Sequence, residues 1–204
     1  VYGLFDGNTP TTVRYVAFCE GDDYWTDPLK LQKQVEFMEA HPEYAICCHR
    51  YRILNQNSGT WDKDYIAEQD IYPRDGDFTF DRMGNIQCWV TKTMTSVYRR
   101  EMLDTSLLSR YKYARDVHWN YHLLTAGPGY CMNEDMAVYR RHDGGVFSPL
   151  DAEQKSFLSY KIYSELADYN PGDQALRAYV DELRQMQFDH LRGKIQHRHV
   201  DAFF

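Results

Sequence analysis

The sequence predicts an α/β protein, a mostly parallel sheet flanked by helices with a C-terminal helical extension. Two observations predict it. The apolar run Val13–Cys19 is followed by a helical stripe and then by a second continuous apolar run within Tyr44–Tyr51. Strand, helix and strand in quick succession make a βαβ unit, and such units build parallel sheets with helical cover. From Asp151 the texture changes: residues 151–169 and 174–192 read as two helices broken at Asn170-Pro171-Gly172-Asp173. The expected division is therefore a core over 1–150 and a helical extension over 151–204.

Bulk properties narrow the class. A chain of 204 residues, 43% hydrophobic and 26% charged, can bury one substantial core and is ordinary for a globular protein. A net charge of −7 argues against a broad nucleic-acid footprint, so an anionic ligand needs local help from a cation or a small basic cluster. Aromatics at 15%, with 17 Tyr and 4 Trp, suit either a Tyr-rich core or a site that stacks flat rings. Five cysteines without a CxxC pair read as buried apolar residues in a reducing compartment rather than a zinc site. Neither a signal peptide nor an apolar run of transmembrane length is recognisable, so the expected location is cytoplasmic.

In chain order, residues 1–12 read as loop and Val13–Cys19 as strand. Thr26 or Asp27 is set to cap a helix with Pro28 at its first position and Leu31, Val35 and Met38 on one stripe; His41-Pro42 ends it. Tyr44–Tyr51, with Ala45-Ile46-Cys47-Cys48, reads as a buried strand. Residues 54–86, rich in Asn, Asp, Gly and Pro, read as a long loop. Gln87–Tyr98 reads as irregular structure entering a strand, and Arg100–Ser109 as a helix. Ala114-Arg115-Asp116 opens another helix with Val117, Tyr121 and Leu124 on one stripe and Gly127 closing it. Tyr130–Met132 and Met136–Tyr139 read as a short hairpin or successive strands. In the last segment, Leu176, Tyr179, Val180 and Leu183 form an apolar stripe suited to packing on the preceding domain.

Three clusters carry chemistry. Glu20, Asp22 and Asp23 gather around Gly21 at the end of the first strand, with Tyr24 and Trp25 behind them. Carboxylates at such a turn can hold a hard cation beside a ligand, although acidic turns are also simply solvated. Asp116 opens a helix, where it is either a first-turn acid favoured by the helix dipole or a general base. Arg140, Arg141 and His142 precede Gly144-Gly145: cations beside flexible backbone suit a diphosphate, or equally a basic turn.

In this order and spacing the three clusters resemble the family 2 glycosyltransferases, the inverting group with the GT-A (Rossmann-like) fold, in the form found among bacterial surface-polysaccharide enzymes. The carrying residues are Tyr15 to Val35, with the Glu20-Gly21-Asp22-Asp23 element; Asp116-Val117-His118-Trp119; and Met136 to Ser148, with Tyr139-Arg140-Arg141-His142. The resemblance covers about residues 13–148. It implies transfer of a sugar from a nucleoside-diphosphate sugar, most commonly UDP-linked, to a hydroxyl of a saccharide or lipid-linked saccharide acceptor, assisted by Mn²⁺ or Mg²⁺. It implies Asp22 and His142 as metal ligands and Asp116 as the base. Glu20, Asp23, Arg140 and Arg141 would join Asp22 and His142 around donor and diphosphate, and Trp25, Trp89, Thr95 and Ser96 would line the acceptor side. Polysaccharide biosynthesis implies a location in the cytoplasm or at the inner face of the membrane.

The chain departs from the family pattern in three places. Arg115 stands where an acid usually precedes the catalytic Asp, and Glu20 replaces the commoner Asp. Only Val1–Arg14 precede the first strand, so the nucleotide-binding front part of the family is expected to be lacking. That last departure leaves a second reading open, a non-catalytic carbohydrate- or protein-binding remnant of the same scaffold. Residues 151–204 would pack in cis or form a homodimer contact.

Overall fold

The structure is a computed structural model that describes residues 13–62, 75–80, 91–144 and 150–201. The chain divides into two compact units, Val1–Arg110 with Ala114–Gly145, and Tyr111–Tyr113 with Val146–Phe204.

The described residues of the first unit form β1 (Tyr15–Ala17), β2 (Tyr24–Trp25), α1 (Lys30–Ala40), β3 (Ile46–Asn55), β4 (Thr60–Asp62), β5 (Gly76–Phe78), β6 (Val97–Arg99), the short α2 (Thr105–Leu108), α3 (Asp116–Ala126) and β7 (Gly129–Arg141). The architecture is α/β and GT-A-like, as expected, but the sheet is mixed. Its order is β1-β6-β3-β7-β2, with β4 beside the end of β3 and β5 beside the start of β7. Among the described residues only β3 and β7 pair in parallel, from Ile46↔Gly129 to Asn55↔Arg141; the other pairings are antiparallel. The two strands of the expected βαβ unit, β1 and β3, are not neighbours, because β6 lies between them, antiparallel to both. A parallel neighbour needs a crossover connection, and the chain from β3 to β7 makes one by way of β6 and α3.

Three further expectations are corrected. Tyr130–Met132 and Met136–Tyr139 belong to one bulged strand, β7. Met132 lies opposite His49, Asp135 opposite Arg50 and Ala137 opposite Tyr51, so Asn133, Glu134 and Met136 fall between partners. A bulge carries exposed polar residues much as a turn does, which is why the two look alike in sequence. The expected helix over Arg100–Ser109 is a 3-10 turn, Arg100–Met102, followed by α2, which Asp104 caps by accepting from Ser106 N–H at 2.9 Å. The long loop over 54–86 holds β4 and β5 among its described residues.

Helix α1 buries a different face from the one its apolar residues suggest. Leu31 is exposed, whereas Lys30, Gln34 and Met38 are buried. Lys30 Nζ donates to Gln34 Oε1 at 2.8 Å and sits 4.4 Å from the centre of the Trp25 ring. Gln34 Nε2 donates to the carbonyls of Cys47 at 2.7 Å and Thr95 at 2.9 Å. The pair thus supplies donors to buried carbonyls of β3 and of the turn before β6, the condition under which polar side chains are tolerated inside. Burial holds the Lys30 ammonium down to about 8. At the other end of α1, buried Arg99 donates to the carbonyls of Met38 at 2.7 Å, His41 at 3.0 Å and Tyr44 at 2.8 Å. A guanidinium's fork of donors suits such helix-end carbonyls.

Gly127 closes α3, but through proximity rather than a left-handed conformation: a side chain there would lie 2.4 Å from the Glu43 carbonyl. On the face of the sheet covered by α3, Ile46, Cys48, Tyr51 and Ile53 of β3 pack with Tyr98, Trp119, Leu123 and Leu124.

The second unit is a helical hairpin of α4 (Ala152–Tyr169) and α5 (Gln174–Asp201). Asp151 and Gln154 cap α4 reciprocally, at 2.8 and 3.1 Å. The stripe Leu176, Val180 and Leu183 is buried, and Tyr179 meets Tyr163 of α4 edge to face at 4.8 Å. Glu165 accepts from the backbone of Lys112 at 2.6 Å and Tyr113 at 2.8 Å, tying that short segment to α4.

Candidate functional site

Strand β1 ends at Ala17, and the chain then turns tightly, with Asp23 N–H donating to the Glu20 carbonyl at 3.1 Å. That turn brings three carboxylates together before β2 re-enters the sheet against β7. The register Tyr24↔Val138 puts the acidic turn beside the last residues of β7. Arg140 holds it there. Its backbone N–H donates to Asp23 Oδ1 at 2.8 Å, its Nε donates to the Asp22 carbonyl, and its Nη2 reaches the Gly21 carbonyl at 3.5 Å. Asp23 is half-buried and its carboxyl is pushed up to about 6. Desolvation is the main cause and repulsion from Asp22 and Glu20 adds to it, while the Arg140 N–H opposes both.

His142 completes the arrangement. Its Nδ1 accepts from Gly144 N–H at 3.1 Å, which leaves the ring proton of the neutral imidazole on Nε2, 3.1 Å from Asp22 Oδ2. Asp22 and His142 are therefore side by side. Among the described residues no group of three or more His, Cys, Asp or Glu side chains is placed to hold a metal ion. One carboxylate with a neighbouring imidazole suits a hard cation only where a ligand's own oxygens complete the shell. For His142 to join through Nε2, its proton must move to Nδ1 and the Gly144 contact must be given up.

Asp116 is the first residue of α3 and is exposed. Its carboxylate accepts from Val117 N–H at 2.9 Å, while the helix start is fixed by Arg115 N–H donating to the buried His118 Nδ1 at 3.1 Å. One turn on, buried Asn120 donates to Thr91 Oγ1 at 2.7 Å. Trp119 meets Phe18 edge to face at 5.2 Å, and Phe18 stands two residues before Glu20. Both rings lie near Tyr98, at 6.1 Å from Phe18 and 6.3 Å from Trp119. Burial raises the Tyr98 phenol, and the charges of Asp116 and Glu20 raise it further. The acidic turn and the start of α3 thus converge on one aromatic cluster although nearly a hundred residues separate them in the chain.

The other expected residues are placed differently. Arg141 lies on the opposite face of β7 from Arg140 by strand alternation, and donates to Asp62 of β4 at 2.9 Å. Thr95 and Ser96 are fully buried and both hydroxyls donate to the Lys92 carbonyl, at 2.8 and 3.2 Å, so these two side chains face the core rather than an acceptor. Trp25 is half-buried, its indole N–H donates to the Met94 carbonyl at 2.8 Å and Lys30 lies over its ring. Trp89 lies outside the described residues. The Lys30–Gln34 pair beneath Trp25 is missing from the sequence reading, since a polar pair four apart on a helix ordinarily signals the solvated face.

The model of the glycosyl transferase family 2 matches residues 6–107, half of the chain, and the protein belongs to that family. Asp116 and Arg140–His142 lie beyond the matched residues. Proteins of Mycobacterium tuberculosis and Mycobacterium bovis, both named only as uncharacterized, are 33% identical to it over 145 residues. That match covers 70% of this chain and 39% of each relative, so the chain spans well under half the length of the curated relatives it matches. Among the described residues no helix is long and apolar enough to cross a membrane.

Proposed function

We propose that the protein is a metal-dependent, inverting glycosyltransferase that moves a sugar from a nucleoside-diphosphate sugar, UDP-linked in the first instance, to a hydroxyl of a saccharide acceptor. The observation that carries this reading is the contact of Phe18 with Trp119, which brings the acidic turn and the start of α3 to one aromatic cluster, with Asp22 held beside His142. The acceptor hydroxyl gives its proton to Asp116, its oxygen bonds to the anomeric carbon from the face opposite the leaving group, and the bond from that carbon to the diphosphate oxygen breaks. The N-terminus of α3 steadies the ionised Asp116 before the reaction.

Asp22, with His142 carrying its proton on Nδ1 instead, would hold Mn²⁺ or Mg²⁺, which when bound offsets the charge gathering on the leaving diphosphate. Arg140 serves the donor indirectly, by fixing the turn that carries Asp22 and Asp23. Arg141, occupied by Asp62, has no part in this reading, and neither do the buried Thr95 and Ser96. We assign the 151–204 hairpin to a separate domain, with a second copy of the chain as its alternative contact, and the enzyme to the cytoplasm or the inner face of the membrane.

Asp116→Asn tests the assignment of the base. Release of UDP from a panel of UDP-sugars in the presence of saccharide acceptors should fall by about 10²–10⁴-fold, while Mn²⁺-dependent thermal protection by UDP is retained. Turnover at the wild-type rate would remove Asp116 from the mechanism. If the wild type shows protection without turnover on any donor, a sugar-nucleotide-binding remnant is the better description.

A further inference from the structure

One face of the strands β4-β3-β7-β2 carries Trp61, Arg52 and Tyr24, which the proposed donor site does not use. Register fixes which residues share it. Trp61 lies opposite Leu54, and Leu54 opposite Arg140; one rung back, Arg52 shares its face with Val138, and Val138 with Tyr24. Two aromatic residues therefore mark the edges of the face, Trp61 at 49% exposure on β4 and Tyr24 at 41% on β2. Between them stand Arg52 and Arg140, with the buried Val138 beneath.

Several large aromatic residues of this unit lie in its core. Trp119, Tyr98, Tyr121 and Tyr51 are all buried. Trp61 differs: the Arg52 guanidinium lies over one face of its ring, 3.8 Å from the centroid, and nearly half of the residue stays open to solvent. A cation stacked on an indole holds the ring flat and costs the ring only one of its two faces. Arg52 is itself exposed, so donors of its guanidinium reach solvent next to the indole. At the other end of the row, Arg140 grips the carbonyls of Gly21 and Asp22, so the row runs directly into the acidic turn. Four strands span about 14 Å at the usual spacing of ~4.8 Å, the reach of a short oligosaccharide rather than of one ring.

We propose that this face is an extended subsite for an anionic saccharide chain, the acceptor end of which reaches the acidic turn. Trp61, with Tyr24 at the far edge, offers flat apolar surface to the CH faces of sugar rings. Arg52 pairs with a carboxylate or another acidic substituent on the chain. The overall charge of −7 makes such a local cation more telling, because only a specific contact would draw an acidic glycan to this surface. The identification of the chain as acceptor rests on the transferase reading; the saccharide contact itself does not.

The test is calorimetric titration of the protein with two probes, the hyaluronan tetrasaccharide, which carries carboxylates, and neutral cellotetraose. The wild type should bind the acidic probe at least several-fold more tightly. Trp61→Ala should weaken both probes by about tenfold without changing the thermal midpoint, and Arg52→Gln should abolish the preference for the acidic one. UDP–Mn²⁺ protection should be the same in Trp61→Ala as in the wild type, because the indole does not touch the turn. Wild-type affinity in Trp61→Ala, or binding of neither probe, would overturn the subsite, and equal affinity for the two probes would overturn its anionic character. Saccharide binding without any UDP–Mn²⁺ protection would count against the transferase and leave this subsite standing.

Discussion

The two acidic elements of the site are held in opposite ways. The turn bearing Asp22 and Asp23 is tied down by residues well over a hundred positions away: Arg140 grips two of its carbonyls and one carboxylate, and His142 faces the other. Asp116, by contrast, accepts from the N–H of the very next residue, and what is anchored is its helix, through His118, Trp119 and Asn120. A group that must hold a charged ligand gains from being fixed in advance, because the ordering cost is met during folding. A group that must take a proton needs a free lone pair at the surface of the cleft. On the proposed mechanism the difference in anchoring is the difference in task.

Cutting the anchor of the turn should break this contrast most visibly. Arg140→Ala leaves the backbone contact to Asp23 but removes the guanidinium from the Gly21 and Asp22 carbonyls. Hydrogen bonds from charged donors contribute about 1.5–3 kcal/mol each, less where solvent reaches them. The thermal midpoint should therefore drop by several degrees, and UDP–Mn²⁺ should bind about tenfold or more weakly. Arg140→Lys, with one point charge in place of a fork, should restore only part of either. Unchanged nucleotide binding in Arg140→Ala would mean that the turn does not need its clamp.

A smaller effect comes from the charge on Asp23. Its carboxyl titrates near 6 in the folded protein, above its ordinary value of 3.8. The folded protein thus holds this proton more tightly than the unfolded chain does. The associated stabilisation is complete below about pH 3.8 and is lost as pH rises through about 6. Asp23→Asn keeps an oxygen for the Arg140 N–H and removes the titration. In the absence of metal, its thermal midpoint should exceed that of the wild type by one to a few degrees at pH 7 to 8, the gap closing toward pH 4. A gap that is independent of pH would remove the desolvated carboxylate from the account.

Much of this site is legible in the sequence because it is local. Tyr15–Ala17 running into Glu20-Gly21-Asp22-Asp23, and Asp116 opening α3, are adjacent in the chain and need no tertiary information. The hairpin of α4 and α5 is equally visible, since Asn170-Pro171-Gly172-Asp173 interrupts two periodic runs. What escapes is whatever depends on partners far along the chain. Nothing local distinguishes Arg140, which grips backbone carbonyls, from Arg141, which is paired with Asp62 on the other face of the same strand. Nothing local sets Lys30 and Gln34 apart from an ordinary solvated pair; only the carbonyls of Cys47 and Thr95 give Gln34 its buried partners. The hydroxyls of Thr95 and Ser96 look available for a substrate until the 3-10 turn at Thr93–Thr95 folds them back onto the Lys92 carbonyl. Polar residues announce a hydrogen bond but not its partner.

The most direct test of the central claim, that the acidic turn is a metal-assisted site for a nucleoside diphosphate, is thermal unfolding with UDP, with Mn²⁺ and with both. The wild type should gain stability only when both are present, by about 2.7 kcal/mol when the ligand stands at a hundredfold its dissociation constant, and Asp22→Ala should lose that gain without losing its fold. No gain in the wild type, or the same gain in Asp22→Ala, would contradict the account.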